Sequence, residues 1–434
     1  LSPERPRLLV ADDRGLILEH PGLLAAGWDG EAARPLAGRL GMPAPPGLQL
    51  VFLPGRRPVG IDPHGGRPVV VDRLDLPEGP IAPHAVAAVL PPGWVRHLLP
   101  AARVEGGAPG LPLRAYTAVG VRDGQFWPAA RRLDPHTHWD PERFRPRALA
   151  ARVGRLRARF PRNRALRQLA RCVLEYGCCT ASNLFLGAFE AGLPVSPACN
   201  ARCLGCISEQ ADGPTPSPQA RLTRAPSVAE LVELMRHHLG HARPGGPRMV
   251  SFGQGCEGEP LLEAERIAAA IARVRHETRR GTIHMNTNGS RPEALGALAA
   301  AGLDSVRVSL ASARPDAFRA YHRGDFGLEE LERFAREATE RGLFVSLNLL
   351  TLPGHTDREE ELEALLQLLE RTGARMVQVR NLDLDPELFG RVVPISKSPV
   401  LGLPTFLAAL RRRRPRVRLG CFNPFREEWN SPAA

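Results

Sequence analysis

The sequence predicts an α/β protein: a partial, TIM-like parallel (βα)6 barrel with an additional β-rich N-terminal domain. Three observations carry that prediction. From about residue 192 the chain alternates short apolar runs with helical segments. Before about residue 140 the apolar runs alternate with Gly/Pro turns. Between these regions, apolar residues recur at helical spacing among arginines.

Residues 1–140 form the predicted β-rich domain. Its strands are Leu8–Ala11, Leu48–Leu53, Pro68–Val71, Ala85–Leu90 and Tyr116–Val121. The domain has no nucleotide-binding fingerprint. Residues 141–191 read as a helical linker, with helices over Arg147–Phe160 and Arg164–Tyr176.

Residues 192–385 hold the barrel. The predicted strands are Leu193–Ser196, Arg248–Gly253, Thr282–Thr287, Ser305–Leu310, Phe344–Leu350 and Arg375–Arg380. The helices are Ser227–Leu239, Leu261–Thr278, Pro292–Ala301, Leu328–Arg341 and Arg358–Thr372. Six units are too few for the closed eight-fold barrel. Residues 386–434 form a tail, expected to cap the open side.

These strands are not uniformly apolar, as strands buried on both faces usually are. His284, Asn286 and Asn288 share one face of a strand by the period of two. Arg307 with Ser309, Ser346 with Asn348, and Gln378 with Arg380 do the same. The expectation is a lumen that holds a polar ligand.

Composition narrows the class. A chain of 434 residues accommodates two or three domains. The formal charge is +12, and Lys397 is the only lysine. Arginine excess with Ala, Gly and Pro fits a GC-rich coding bias better than a nucleic-acid face, so nucleic acid is the less favoured partner. No run reaches the roughly 18 apolar residues a membrane span needs. No signal-peptide core follows Leu1, and a cytoplasmic location is expected. Eight cysteines are too few for a disulfide scaffold in a chain this long.

Three of those cysteines sit in Ala198-Cys199-Asn200-Ala201-Arg202-Cys203-Leu204-Gly205-Cys206, spaced C-x3-C-x2-C. Thiolates are the ligands of iron–sulfur clusters. Three in one loop hold three irons of a cubane and leave the fourth open, and an open position is what makes a metal site catalytic. Zinc would want a fourth ligand, and no Cys or His stands at a suitable spacing.

The spacing, after the first strand of a partial barrel, resembles the radical S-adenosylmethionine (radical SAM) superfamily. The resemblance implies a [4Fe–4S] cluster on Cys199, Cys203 and Cys206. It implies that the open iron binds S-adenosylmethionine, and that one electron cleaves the sulfonium to give a 5′-deoxyadenosyl radical, which abstracts hydrogen from substrate. A low-potential electron donor, flavodoxin- or ferredoxin-like, is then a partner. Gly255-Cys256-Glu257-Gly258-Glu259-Pro260 resembles the family's Gly-Gly-Glu-Pro segment, which receives the S-adenosylmethionine ammonium. Gly258 and Glu259 are the best matches there, with Glu257 in reserve. Thr287-Asn288-Gly289 matches a family pattern, and Ser309 stands where the family binds carboxylate or ribose. Asn288, Ser309 and Asn348 complete the candidate cofactor contacts. Leu352–Asp357 resembles the turn near the adenine. One departure is Gly205, where the family often has an aromatic residue before the third cysteine.

Other residues remain outside this pattern. Cys172, Cys178 and Cys179 read as packing or as ligands of an auxiliary cluster. Cys256 reads as packing. Cys421 resembles the C-terminal cysteine of the RNA-methylating branch. His136, His138 and Asp140 alternate on one face if extended, although Pro135 and Pro141 favour a loop. The expected function is a radical SAM enzyme acting on an unidentified small molecule or peptide. An RNA-modifying radical SAM enzyme and a noncatalytic iron–sulfur sensor or scaffold stay open as alternatives.

Overall fold

The structure is a computed structural model, and it describes residues 5–36, 43–136, 139–144, 148–210, 213, 215–240 and 246–430. His138 of the alternating His/Asp segment, and Arg147 of the first linker helix, lie outside the described residues. The chain divides into two compact units. The first comprises 1–135, 351–363 and 380–412, and the second 136–350, 364–379 and 413–434. This partition differs from four contiguous segments bounded at 140, 191 and 385. Residues after 385 contribute to both units rather than forming a separate tail.

The first unit is built on a 12-stranded sheet. Strand Arg7–Ala11 pairs antiparallel with the Ile17–Trp28, His84–Val89 and Val119–Arg122 strands. Its alternating side chains feed two cores. Leu9 and Ala11 pack with Val86, Ala88, Val119 and Val121, while Leu8 and Val10 pack with Val71 and Leu74. The 12-residue strand Ile17–Trp28 was not legible in the sequence, because its Pro21-Gly22 pair imitates a turn. Arg96 explains why distant segments join this unit. Its guanidinium is fully buried and donates to the carbonyls of Tyr116 (3.3 Å), Thr351 (3.1 Å) and Leu382 (2.9 Å). A buried charge held by main-chain oxygens fixes the strands that supply them.

The second unit carries the parallel half-barrel. Seven strands lie in sequence order: Glu190–Gly192, Met249–Phe252, Thr282–Thr287, Ser305–Leu310, Phe344–Thr351, Met376–Asn381 and Arg418–Gly420. The middle strands match the predicted ones to within a residue or two. Two corrections arise at the edges. The first strand is Glu190–Gly192 rather than Leu193–Ser196, whose backbone instead leaves the sheet toward the cysteine loop. A seventh strand comes from the tail, too short and arginine-rich to signal itself.

The helices of the chain are α1 (Leu149–Arg159), α2 (Arg164–Leu174), α3 (Cys179–Leu186), α4 (Val228–Gly240), α5 (Ala264–Glu277), α6 (Leu295–Ala301), α7 (Pro315–His322), α8 (Leu328–Glu340), α9 (Glu359–Thr372), α10 (Pro386–Val392) and α11 (Leu403–Arg413). Pro260 and Pro292 open short 3-10 turns before α5 and α6 instead of extending them. Helices α3, α7, α10 and α11 were not predicted. Helices α3, α7 and α10 bury apolar faces too short to display a helical period, whereas α11 carries Leu403, Phe406, Leu407 and Leu410 at helical spacing, a signal that sequence reasoning passed over.

Register gathers the polar lumen. His284 pairs with Ser305, Asn286 with Arg307, Arg307 with Ser346, and Ser309 with Asn348. Neighbours in register share a face. The ends of the half-barrel are tied by a polar chain: Arg307 donates to Gln378 (3.2 Å), Gln378 to Asn423 (2.8 Å), and Asn423 to Glu190 (2.9 Å). Asn423, from the tail, thus links the sixth strand to the first.

Candidate active site

The cysteine loop is held at both ends. At its entry Glu257 is buried, and its carboxylate accepts four backbone N–H groups, from Val195 (2.6 Å), Ser196 (2.8 Å), Gly253 (2.7 Å) and Gln254 (2.8 Å). The Gly258 N–H donates to the Ser196 carbonyl (2.7 Å), and the Glu259 N–H to that of Ala198 (2.8 Å). Gly258 is there because a Cβ would lie 1.8 Å from the Ala198 oxygen. Only glycine admits that approach. At its exit the N–H groups of Arg202 and Leu204 donate to the carbonyls of His322 (3.0 Å) and Tyr321 (3.1 Å), at the end of α7. In the middle, Asn288 donates to Asn200 (2.9 Å), which donates to Ser290 (2.9 Å).

Cys199, Cys203 and Cys206 are all half-buried, and each one's sulfur lies close enough to its neighbours for their charges to interact. Burial pushes the Cys199 thiol up to about 11 and the Cys203 thiol up further, and mutual repulsion adds to both. Donors surround the sulfurs. His322 Nδ1 lies 3.4 Å from Cys203 Sγ. Arg221 Nη2 lies 3.6 Å, and Ser208 Oγ 3.7 Å, from Cys206 Sγ. The His322 ring is buried against Phe318, Tyr321 and Phe326, and its Nε2 has no partner among the described residues. A ligating thiolate only accepts hydrogen bonds, so Nδ1 would carry the proton.

These residues fit a cubane. Among the described residues no three donors converge tightly enough for one metal ion. A [4Fe–4S] cluster does not ask for that, since each cysteine takes a different iron. Bound irons would offset the burial and mutual repulsion that push up the Cys199 and Cys203 thiols.

The remaining candidates lie on the same unit. Glu259 is buried, and burial pushes its carboxyl up to about 7, opposed by donors from Thr287 Oγ1 and the N–H groups of Leu261 (3.0 Å) and Asn288 (2.8 Å). The reserve, Glu257, has both oxygens occupied by the main chain, so it fastens the loop rather than facing a ligand. Asn288 spends its amide on Asn200 and on the Ser290 N–H (3.0 Å). Ser309 is half-buried and in register with Asn348, whose buried Oδ1 has no partner among the described residues. The buried Ser346 Oγ next to it has none either. Arg380 and the Leu352–Asp357 turn belong to the first unit, where the Gly354 N–H donates to Asp357 (2.7 Å). Sequence reasoning missed His322, Arg221 and Ser208. Arg221 and Ser208 carry no motif, and His322 lies on a helix it did not anticipate.

Residues 193–369 match the Radical SAM superfamily. These residues form a Radical SAM domain. The match supports a [4Fe–4S] cluster and S-adenosylmethionine as the cofactors of this domain. The chain is 32% identical over 225 residues to GTP 3',8-cyclase 2 of Mycobacterium tuberculosis (strain ATCC 25618 / H37Rv), covering 51% of this chain and 56% of that protein. To the GTP 3',8-cyclase of Streptomyces coelicolor it is 30% identical over 174 residues, covering 40% and 47%. The chain thus spans about half the length of the curated relatives it matches. Among solved structures it overlaps the methyltransferase TsrM from Kitasatospora setae, with a TM-score of 0.34 and 20% identity over 46% of this chain and 36% of that one. It overlaps methylornithine synthase (PylB) with a TM-score of 0.37 and 14% identity, over 65% and 74%. Among the described residues no helix is long and apolar enough to cross a membrane.

Proposed function

We propose that this chain is an enzyme that cleaves S-adenosylmethionine reductively at a cluster on Cys199, Cys203 and Cys206 and acts on a small molecule held in the half-barrel lumen. The observation that carries this reading is the clamped three-cysteine loop beside a lumen whose Asn348 Oδ1 and Ser346 Oγ are buried without partners among the described residues. Buried polar atoms without partners are costly unless a ligand or water meets them. When bound, the cofactors supply a 5′-deoxyadenosyl radical that takes hydrogen from the substrate. The chain's own residues position that event. Glu257 and Gly258 fix the loop, Glu259 accepts the ammonium of S-adenosylmethionine, and Ser309 and Asn348 face its polar groups. Arg307, anchored on Gln378, offers a cation to an anionic substrate.

The named relatives are GTP cyclases, which supports a small-molecule substrate over a peptide or RNA and makes purine nucleotides the first to try. The electron comes from a low-potential flavodoxin- or ferredoxin-like protein, and the cytoplasm is the expected setting. The test is anaerobic. The reconstituted, dithionite-reduced protein is given S-adenosylmethionine, and 5′-deoxyadenosine is assayed beside Cys203→Ala. Product from the native chain alone supports the enzyme; a full cluster without product, with and without nucleotides, points to the noncatalytic sensor.

A further inference from the structure

Helix α2 turns its apolar residues, among them Leu166, Leu169 and Val173, inward and its arginines outward. Arg164, Arg167 and Arg171 recur at helical spacing on the exposed side. A loop crosses over them. Gln168 donates to the Ala220 carbonyl (2.9 Å) and Arg164 to that of Ala225 (3.0 Å). The result is a cleft of about 230 Å³ between helix and loop, with Arg224 on the loop side. Arg164 pairs with Glu230 and Arg171 with Glu175, but Arg167 and Arg224 are exposed and make no ion pair among the described residues. The cleft therefore keeps a net positive charge.

The same loop reaches the cluster site. Arg221 donates to Ser208 (3.1 Å) and stands 3.6 Å from Cys206 Sγ, while the Leu222 N–H is fixed to the Cys256 carbonyl (2.8 Å). Two residues separate Arg221 from Arg224, a reach of about 10 Å over three steps of chain. One short, tethered segment thus has a cluster cysteine at one end and unpaired surface charge at the other.

We infer that the arginine cleft of α2 and residues 221–224 is the docking surface for an acidic, one-electron donor protein. The inference rests on the proposed cluster. An acidic patch on the donor meets Arg167 and Arg224, and charge complementarity steers the encounter. The electron passes from the reduced donor to the oxidised cluster by way of the loop behind Cys206, and no bond is made or broken. A nucleic acid would also be drawn to this charge. The protein donor is favoured because the cleft's own wall contacts the cluster loop, which a donor needs and an RNA does not.

The test compares two reductants on the reconstituted full chain. Bleaching of the cluster absorbance is followed after mixing with dithionite or with photoreduced flavodoxin of net negative charge. The variant is Arg167→Glu with Arg224→Glu, and Arg167→Gln with Arg224→Gln is the milder form. The expected result is a flavodoxin rate that falls about tenfold in the charge-reversed variant and falls steeply with salt in the native chain. The neutralised variant lies between, and the dithionite rate is unchanged in all. Equal flavodoxin rates across the three proteins overturn the inference. So does RNA that competes for the native cleft while flavodoxin reduction stays salt-independent. A native chain that takes up no cluster overturns this inference and the proposed function together. A cluster reduced normally that never cleaves S-adenosylmethionine overturns only the proposed function.

Discussion

The second unit holds two groups of cysteines, and they are built differently. Cys199, Cys203 and Cys206 lie on one half-buried loop, ringed by His322, Arg221 and Ser208. Cys172, Cys178 and Cys256 come from α2, the start of α3 and the glycine-rich loop. Cys172 and Cys256 are buried, Gln168 donates to Cys172 Sγ (3.8 Å), and Cys178 caps α3 by accepting from the Ala181 N–H (3.5 Å). Their sulfurs serve packing and the helices. The loop sulfurs instead face donors that come from elsewhere in the fold. Sulfur count does not separate the groups; what surrounds the sulfurs does.

The widest expected contrast is loss of the cluster. Cys203→Ala should take up almost no iron and sulfide on reconstitution, whereas Cys172→Ala should keep the native complement and lose only about 1 kcal/mol of stability for a small buried side chain. Iron analysis and a urea midpoint measure the two effects. Equal iron loss in both would erase the distinction and make Cys172 a ligand.

Gly258→Ala tests the clamp rather than the ligands. A methyl group 1.8 Å from the Ala198 oxygen must push the loop away. Iron retention should drop severalfold although all eight cysteines remain. Native iron content would show that the loop does not depend on this approach.

His322 sharpens the contrast at the level of potential. Hydrogen bonds to cluster sulfurs raise the reduction potential. His322→Phe should move the midpoint of the cluster to more negative values, and His322→Gln, which keeps a donor, should restore part of it. A redox titration followed by electron paramagnetic resonance reads the shift directly.

The smallest effect is on the metal-free chain. Burial holds Cys199 at about 11, so its thiolate fraction grows tenfold per pH unit below that value. Alkylation of Cys199, followed by mass spectrometry, should rise log-linearly from pH 7 to 9. A plateau near pH 8 would mean the thiol is not shielded as described.

Much of this site was legible in the sequence, and for identifiable reasons. Three thiols within eight positions signal a cluster locally, and the Gly-Glu-Pro run signals its neighbour. Period-two polarity on successive strands signalled the lumen before register confirmed that Arg307 with Ser346, and Ser309 with Asn348, are adjacent. What the spacing did not separate depended on distant partners. Glu257 and Glu259 are two residues apart and chemically identical, yet one is saturated by main-chain N–H groups and the other caps a turn beside Asn288.

The sequence by itself determined the α/β class, the three-cysteine spacing and the polar face of the strands, because spacing and periodicity are local properties. Tertiary structure alone decided that Asn423 ties the ends of the half-barrel and that His322 and Arg221 reach the cysteine sulfurs. It alone decided that residues beyond 385 are shared between two units. Those outcomes turn on which buried donor meets which acceptor across the fold, and a buried polar group takes whichever partner the packing brings within reach.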